Sequence, residues 1–247
     1  MVQGNSPTSI IIGAGEIGKG LYEVLEDTYG ESVFIRDTEH KAGLPKKVDF
    51  MHIAFPYSRK FLEYVNTYIN IYNPGIVVVH STVPVGTTDK IKTVPAVHSP
   101  VRGKHPRLAD SIRTFVKFVG GPRDIAAQVA DYFIAANIKT TLCESTRSTE
   151  LGKILSTTQY GWDIIQMKEI HRICKEHEVP FSEAYTLFNK TYNDGYEEMG
   201  IGEYKRSILQ YMPNKIGGHC VVQNTALLDD IFTQFVKDFN QVYEHEV

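Results

Sequence analysis

The 247-residue sequence is most informative at first through what it lacks. It has no surplus of positive charge: 26 Lys and Arg stand against 29 Asp and Glu, a net charge of −3. There is thus no basic field of the kind that binds nucleic acid or an anionic membrane, and any anion site must be local. No apolar run approaches the roughly 18 residues of a membrane helix, and the polar opening MVQGNSPTS has no signal-peptide core. A soluble chain in the cytoplasm is the expectation. The three cysteines, Cys143, Cys174 and Cys220, are odd in number and widely spaced, which fits reduced thiols better than a disulfide framework. No CxxC or HExxH spacing occurs, so His98, His105 and His219 make no case for a metal. Repeats, low-complexity tracts and Pro/Gly-rich linkers are also missing.

What is present is a change of pattern along the chain. From Ser9 to about Cys143, short β-rich runs alternate with helical stretches, which predicts an α/β fold with a Rossmann-type, doubly wound parallel sheet. The strand candidates are 9–15, 32–37, 47–55, 75–81, 93–99, 114–120 and 139–143, with helices over Gly18–Tyr29, Ser58–Tyr72 and Pro122–Ala136. After Cys143 the strand signals stop. A long helix is expected from Ser145 to about Glu178, with Leu151, Leu155, Thr158, Trp162, Ile165 and Ile173 in its seam and Pro180 ending it. Further helices are expected near 182–193, 203–211 and 224–244. The reading is therefore a dinucleotide-binding domain over 1–143 and an all-helical domain over 144–247. The apolar side of the long helix needs cover, from its own neighbours or from a subunit interface, and a homodimer through the helical domain is the expectation.

Gly13-Ala14-Gly15-Glu16-Ile17-Gly18 follows an apolar strand and opens a helix, the context a GxGxxG needs before it counts. The first glycine permits the tight turn, the second admits a pyrophosphate, and the third lets helix and strand pack closely. Asp37 ends the second strand, where a carboxylate can accept hydrogen bonds from a ribose and repel a 2′-phosphate. That favours NAD over NADP, although Arg36 beside it pulls the other way. The alternative is that these glycines only serve a turn.

Four further constellations could carry chemistry. Ser81-Thr82-Val83-Pro84-Val85-Gly86-Thr87-Thr88 leaves a strand at the carboxyl edge of the sheet, where ligands of open α/β folds bind. The next strand leads into Ser99-Pro100-Val101-Arg102-Gly103-Lys104-His105-Pro106-Arg107, either an anion clamp or a solvated basic loop. On the long helix Glu150, Lys153 and Thr157 share a face; the lysine can serve a developing alkoxide or form only a surface ion pair. Near the end, Gly217-Gly218-His219-Cys220 sets a thiol beside a histidine and flexible backbone, which makes Cys220 a candidate nucleophile. Cys143 and Cys174 read as small buried hydrophobes.

GAGEIG at 13–18, STVPVGTT at 81–88, SPVR at 99–102, the glutamate–lysine helix start at 150–153 and GGHC at 217–220 stand in one order. On these residues the chain resembles the UDP-glucose/GDP-mannose dehydrogenase family over nearly its whole length, as a shortened member without the C-terminal nucleotide-sugar-binding domain. The resemblance implies an NAD-binding domain, a helical dimerisation domain, and oxidation of a nucleotide-sugar alcohol to a carboxylate through a thioester. It places NAD against Gly13, Gly15, Glu16, Ile17, Gly18, Asp37, Pro56, Ser81 and Thr82, and an anionic substrate against Arg102, Lys104 and His219. Lys153 would stabilise the alkoxide and Cys220 would be the nucleophile, with Thr157 and Asn224 beside the chemistry.

Three positions depart from the pattern the resemblance implies. Val101 stands for a glutamate, Thr157 for an asparagine and Asn224 for an aspartate. Each change removes a group that moves a proton or positions a water, which disfavours thioester hydrolysis. Two other functions therefore stay open: a catalytically silent NAD-binding scaffold or sensor, and a two-electron dehydrogenase or reductase of the β-hydroxyacid type.

Overall fold

The computed structural model describes residues 6–38, 43–103, 106–217 and 220–243, and of Cys220 the main chain alone. Two compact units divide the chain, 1–153 and 154–247, and the division falls within one long helix.

In the first unit, β1 (Ser9–Ile12), β2 (Val33–Arg36), β3 (Val48–Ile53), β4 (Pro74–Val79), β5 (Ala96–His98), β6 (Lys117–Gly120) and β7 (Thr140–Cys143) form one seven-stranded sheet in the order β2-β1-β3-β4-β5-β6-β7. Its helices are α1 (Glu16–Tyr29), α2 (Phe61–Tyr72), the short α3 (Leu108–Thr114) and α4 (Arg123–Ala135). Strands buried on both faces read as continuous apolar runs, and alternate residues serve opposite cores. Ile11, Phe50, Ile76 and Val78 pack towards Leu21, Leu25, Leu108, Val129 and Phe133, while Ile10, Ile12, Met51, Val77 and Val79 pack towards Phe61, Val65 and Ile69 of α2. The winding is thus double, as the alternation predicts.

One pairing differs from an all-parallel sheet. His98 of β5 meets Gly120 of β6 antiparallel, and β6 and β7 are parallel to each other. The 99–116 interval has the length of a crossover but is not used as one. Its helix, α3, is spent against α1, where Arg113 pairs with Glu23 and Asp27 at 3.1 and 2.6 Å. The chain therefore joins the sheet from the end at which β5 left it.

In the helical half, α5 runs over Thr146–Glu176. It stops in a left-handed turn, with Glu178 at φ 55° and the Val179 N–H returning to the Cys174 carbonyl at 3.0 Å, just before Pro180. A π-helical turn over Ser182–Leu187 leads into α6 (Phe188–Glu198), and α7 (Cys220–Thr225) and α8 (Ile231–Val242) close the unit. The buried stripe of α5 is Ile154, Thr158, Gly161, Ile165 and Lys168, whereas Leu155 and Ile173 of the expected seam are exposed. The expected helix at 203–211 is a 3₁₀ turn over Gly202–Tyr204 and then irregular chain. Side chains take its backbone bonds instead: Asn193 accepts from the Arg206 N–H (2.8 Å) and donates to the Arg206 carbonyl (2.9 Å), and the Tyr185 hydroxyl accepts from the Leu209 N–H (3.1 Å). The helix expected over 224–244 is interrupted. Asp230 caps a new start by accepting from the Phe232 N–H at 2.8 Å, so α7 and α8 are separate.

Candidate functional site

The three fingerprint glycines do different work. Gly13 has φ 108°, and a Cβ there would lie 2.9 Å from the Ala54 main chain. A Cβ on Gly18 would lie 1.8 Å from the Gly13 carbonyl oxygen. Gly15 has neither constraint: its φ of −71° and ψ of −172° suit any residue, and no atom lies within 4 Å of a Cβ built on it. Gly15 is also the N-cap of α1, where it supplies no side chain between the helix start and the space in front of it. This cradle fits a pyrophosphate. Glu16 is exposed and Ile17 half-buried in the first turn.

Asp37 is exposed at the end of β2 and accepts from the Thr38 N–H at 2.9 Å. Arg36 is drawn elsewhere: its guanidinium donates to the Tyr72 hydroxyl at 2.5 Å and lies 5.0 Å from the Tyr68 ring centroid. It is thus held on α2, which among the described residues leaves the Asp37 carboxylate at the strand end.

At the end of β4, the Ser81 hydroxyl donates to the Phe55 carbonyl at 2.5 Å, tying this strand to the segment carrying exposed Pro56. Thr82 is half-buried. The turn beyond it is held by Glu150, whose carboxylate accepts from the Gly86 N–H (2.5 Å) and the Thr88 N–H (2.8 Å). Burial raises the Glu150 pKa, and these amides pull it back. The glutamate therefore leaves the helical stripe it shares with Lys153 to shape the loop that presents Thr82.

A histidine cross-brace joins β4 and β5. His80 bonds through Nδ1 to the Ser99 carbonyl at 2.7 Å, and His98 through Nε2 to the Ser81 carbonyl at 3.1 Å. A carbonyl accepts only, so each of these ring nitrogens carries the proton. His80 Nε2 must then accept from His52 Nδ1 at 2.9 Å, which leaves His52 Nε2 buried with no partner among the described residues. Lys117, also buried, donates to the carbonyls of Ser99 (2.9 Å) and Pro100 (3.4 Å). Burial, followed by the charge of Lys117, lowers the His52 pKa to about 3. Burial is also the main cause of the drop to about 3 for His98. Burial and then the charge of Lys153 bring Lys117 to about 7. Sequence reasoning missed this network, although Val-His-Ser recurs at 79–81 and 97–99, at the ends of two strands.

Lys153 is half-buried on α5, one turn after Thr149, whose hydroxyl lies 2.9 Å from His98 Nδ1. Asn224 of α7 donates to the Thr157 hydroxyl at 3.4 Å, so two of the three departing positions meet each other. The third, Val101, is packed in the core. Arg102 is exposed, stacked 5.5 Å from the Phe115 and 5.2 Å from the Phe118 ring centroid. A shallow crevice lies there, lined among others by Arg102, Phe115 and Lys117. Cys220 begins α7; Lys104, His219 and the Cys220 side chain lie outside the described residues.

The sheet and its glycine fingerprint define a Rossmann-type fold, followed in the chain by a helical unit. The chain is 24% identical over 176 residues to UDP-N-acetyl-D-mannosamine dehydrogenase of Methanocaldococcus jannaschii, a match covering 67% of this chain and 37% of the relative. It thus spans little more than a third of that protein. The solved UDP-D-ManNAc dehydrogenase of Pyrococcus horikoshii has a TM-score of 0.76 at 17% identity, covering 95% of this chain and 68% of the other. Mycobacterium tuberculosis 3-hydroxyisobutyrate dehydrogenase gives 0.74 at 12% identity, covering 97% and 94%. No family model matches the chain. The resemblance to nucleotide-sugar dehydrogenases read from five motifs is met by a relative of that kind, and these solved dehydrogenases share the fold. No helix among the described residues is long and apolar enough to cross a membrane.

Proposed function

We propose that the chain is an NAD-dependent oxidoreductase that oxidises an alcohol on a sugar or sugar-like anionic substrate, in the manner of nucleotide-sugar 6-dehydrogenases. The observation that carries this reading is Gly15, a glycine required by neither its own backbone angles nor any neighbouring atom, at the N-cap of α1. What its missing side chain leaves room for is a ligand. Gly13, Gly15, Glu16, Ile17 and Gly18 would hold the pyrophosphate, Asp37 the adenosine ribose, and Pro56, Ser81 and Thr82 the nicotinamide end. NAD, when bound, supplies the hydride acceptor.

The remaining chemistry belongs to the chain's own residues. Lys153 donates to the oxygen on which negative charge develops, and Arg102, Lys104 and His219 hold the anionic part of the substrate. Cys220 is the nucleophile towards an aldehyde carbon. The helical unit is the dimer interface, and the cytoplasm is the setting in which the thiols stay reduced.

A second reading has its own observation. Thr157 and Asn224 form a neutral pair, and neither accepts a proton near neutral pH as a carboxylate does. A reaction ending after two electrons releases only the alcohol's own proton and has no thioester water to activate, so it needs no acceptor at these two positions. The test is NADH formation from NAD over a panel of nucleotide sugars and small hydroxy acids, with NADH counted per substrate consumed. Lys153→Met is expected to lower kcat by about a hundredfold or more, the usual cost of a lost oxyanion donor. Two NADH with loss of turnover in Cys220→Ser is the four-electron result; one NADH with an active Cys220→Ser chain is the two-electron result. No turnover across the panel in protein that binds NADH contradicts both and leaves a scaffold.

A further inference from the structure

We propose that Tyr72 is a specificity-determining residue for the cofactor, holding the Arg36 guanidinium on α2 and away from the ribose end at Asp37, so that the site takes NAD and not NADP. This deepens, and rests on, the reading of the Gly15 cradle as a dinucleotide site. Arg36 stands where an arginine matters to a cofactor: its carbonyl accepts from the Gly13 N–H at 2.8 Å, in the turn that opens the fingerprint, and Asp37 is the next residue. An arginine at this edge accommodates a 2′-phosphate, whereas an acidic residue accepts from a free 2′-hydroxyl. The sequence carries both side by side, and selectivity turns on which of them the cofactor meets.

Alternation along β2 puts Arg36 on the same face as Phe34, which packs with α2. Tyr68 and Tyr72 lie one turn apart on that helix, with ring centroids 6.4 Å apart. The guanidinium carbon of Arg36 is 5.0 Å from the first ring centroid and 5.5 Å from the second, and one Nη donates to the Tyr72 hydroxyl at 2.5 Å. Tyr72 is 2% exposed and anchored in the core, so the arginine is drawn to a fixed point. Asp37, by contrast, is exposed.

The hold is shallow. Tyr72 offers a neutral oxygen where a carboxylate would grip harder, and Arg36 Nε is buried with no partner among the described residues. An arginine placed for stability would have its donors filled, because a buried unmade bond is costly. On release the guanidinium gains a phosphate or the Asp37 carboxylate, and either outcome favours NADPH. A single hydroxyl therefore tips the balance between the two cofactors.

The test uses the full chain, titrated with NADH and separately with NADPH. Tyr72→Phe keeps the ring and removes the hydroxyl. The ratio of the NADPH to the NADH dissociation constant is expected to fall at least fivefold. Tyr68→Leu, which removes the other ring, is expected to lower it in the same direction and keeps the test decisive should Tyr72→Phe fold poorly. Added to Arg36→Met, neither change is expected to move the ratio by more than twofold, since the guanidinium they release is gone; a general loosening of α2 would act with or without it. A parent that prefers NADH while both variants keep its ratio within twofold overturns the role of Tyr72 alone. So does a ratio that falls equally in the Arg36→Met background. A parent that binds neither dinucleotide overturns the cofactor reading and this proposal with it.

Discussion

A Gly15→Val chain is expected to fold as the parent does and to lose at least a hundredfold in affinity for NADH, whereas Gly18→Ala is expected not to reach the folded state. The two glycines lie three residues apart in one motif, yet their surroundings are opposite. A Cβ at 18 would be driven 1.8 Å from the Gly13 carbonyl oxygen, a main-chain atom within the tightest turn of the sheet, where no side chain can give way. The backbone at 15 is extended and its Cβ direction is empty. A valine there meets nothing until a pyrophosphate approaches the α1 amides. Thermal melts and an NADH titration on each variant separate the effects. A Gly15→Val chain that binds NADH like the parent would show that the empty direction is not the cofactor's.

The second large effect is on stability against pH. Between about pH 3 and 6.5 the unfolded chain protonates His52 and His98 while the native state, holding both to about 3, does not. The unfolded state binds more protons in that window, so stability falls as pH falls, by about 1.4 kcal/mol per unit for each histidine. Going from pH 6.5 to 4.5 removes about 5 kcal/mol from the two together, on the scale of a whole domain's stability. His80, held well below the usual value by burial and then by Lys117, acts in the same direction. Lys117 governs the other limb. Its folded value of about 7 lies below its unfolded value, so stability rises as pH climbs from about 7 to about 10.5 and then levels. His98→Gln is expected to make the acid limb shallower, and Lys117→Met to flatten the alkaline rise. Melting temperatures over this range check both, and a flat profile between pH 4.5 and 7 would contradict the buried, neutral state of the cross-brace.

The fold was legible wherever burial is two-sided. β1, β3 and β4 are apolar on both faces, so their runs and the helices between them could be read directly. The direction of β6 could not, because it turns on α3 docking against α1, a contact between segments far apart in sequence. The 203–211 segment carries a helical pattern, but Asn193 and Tyr185 take its backbone bonds. In the site, the glycine pattern was plain because it is local. Glu150 lies one turn from Lys153 and was read with it, but its carboxylate serves the Gly86 and Thr88 amides, a pairing that helix spacing does not encode. The Thr157–Asn224 contact was hidden for the same reason: each position departs singly from the resemblance, and only folding brings the two together.

The central claim is that the open cradle beside Gly15 is a dinucleotide site with an acidic ribose end. Its most direct test is titration of the unaltered chain with NADH and, separately, with NADPH. The account predicts saturable binding of one NADH per chain, at least tenfold tighter than NADPH because Asp37 stands at the strand end while Arg36 is held by Tyr72. No binding at millimolar NADH, or a preference for NADPH, would contradict it.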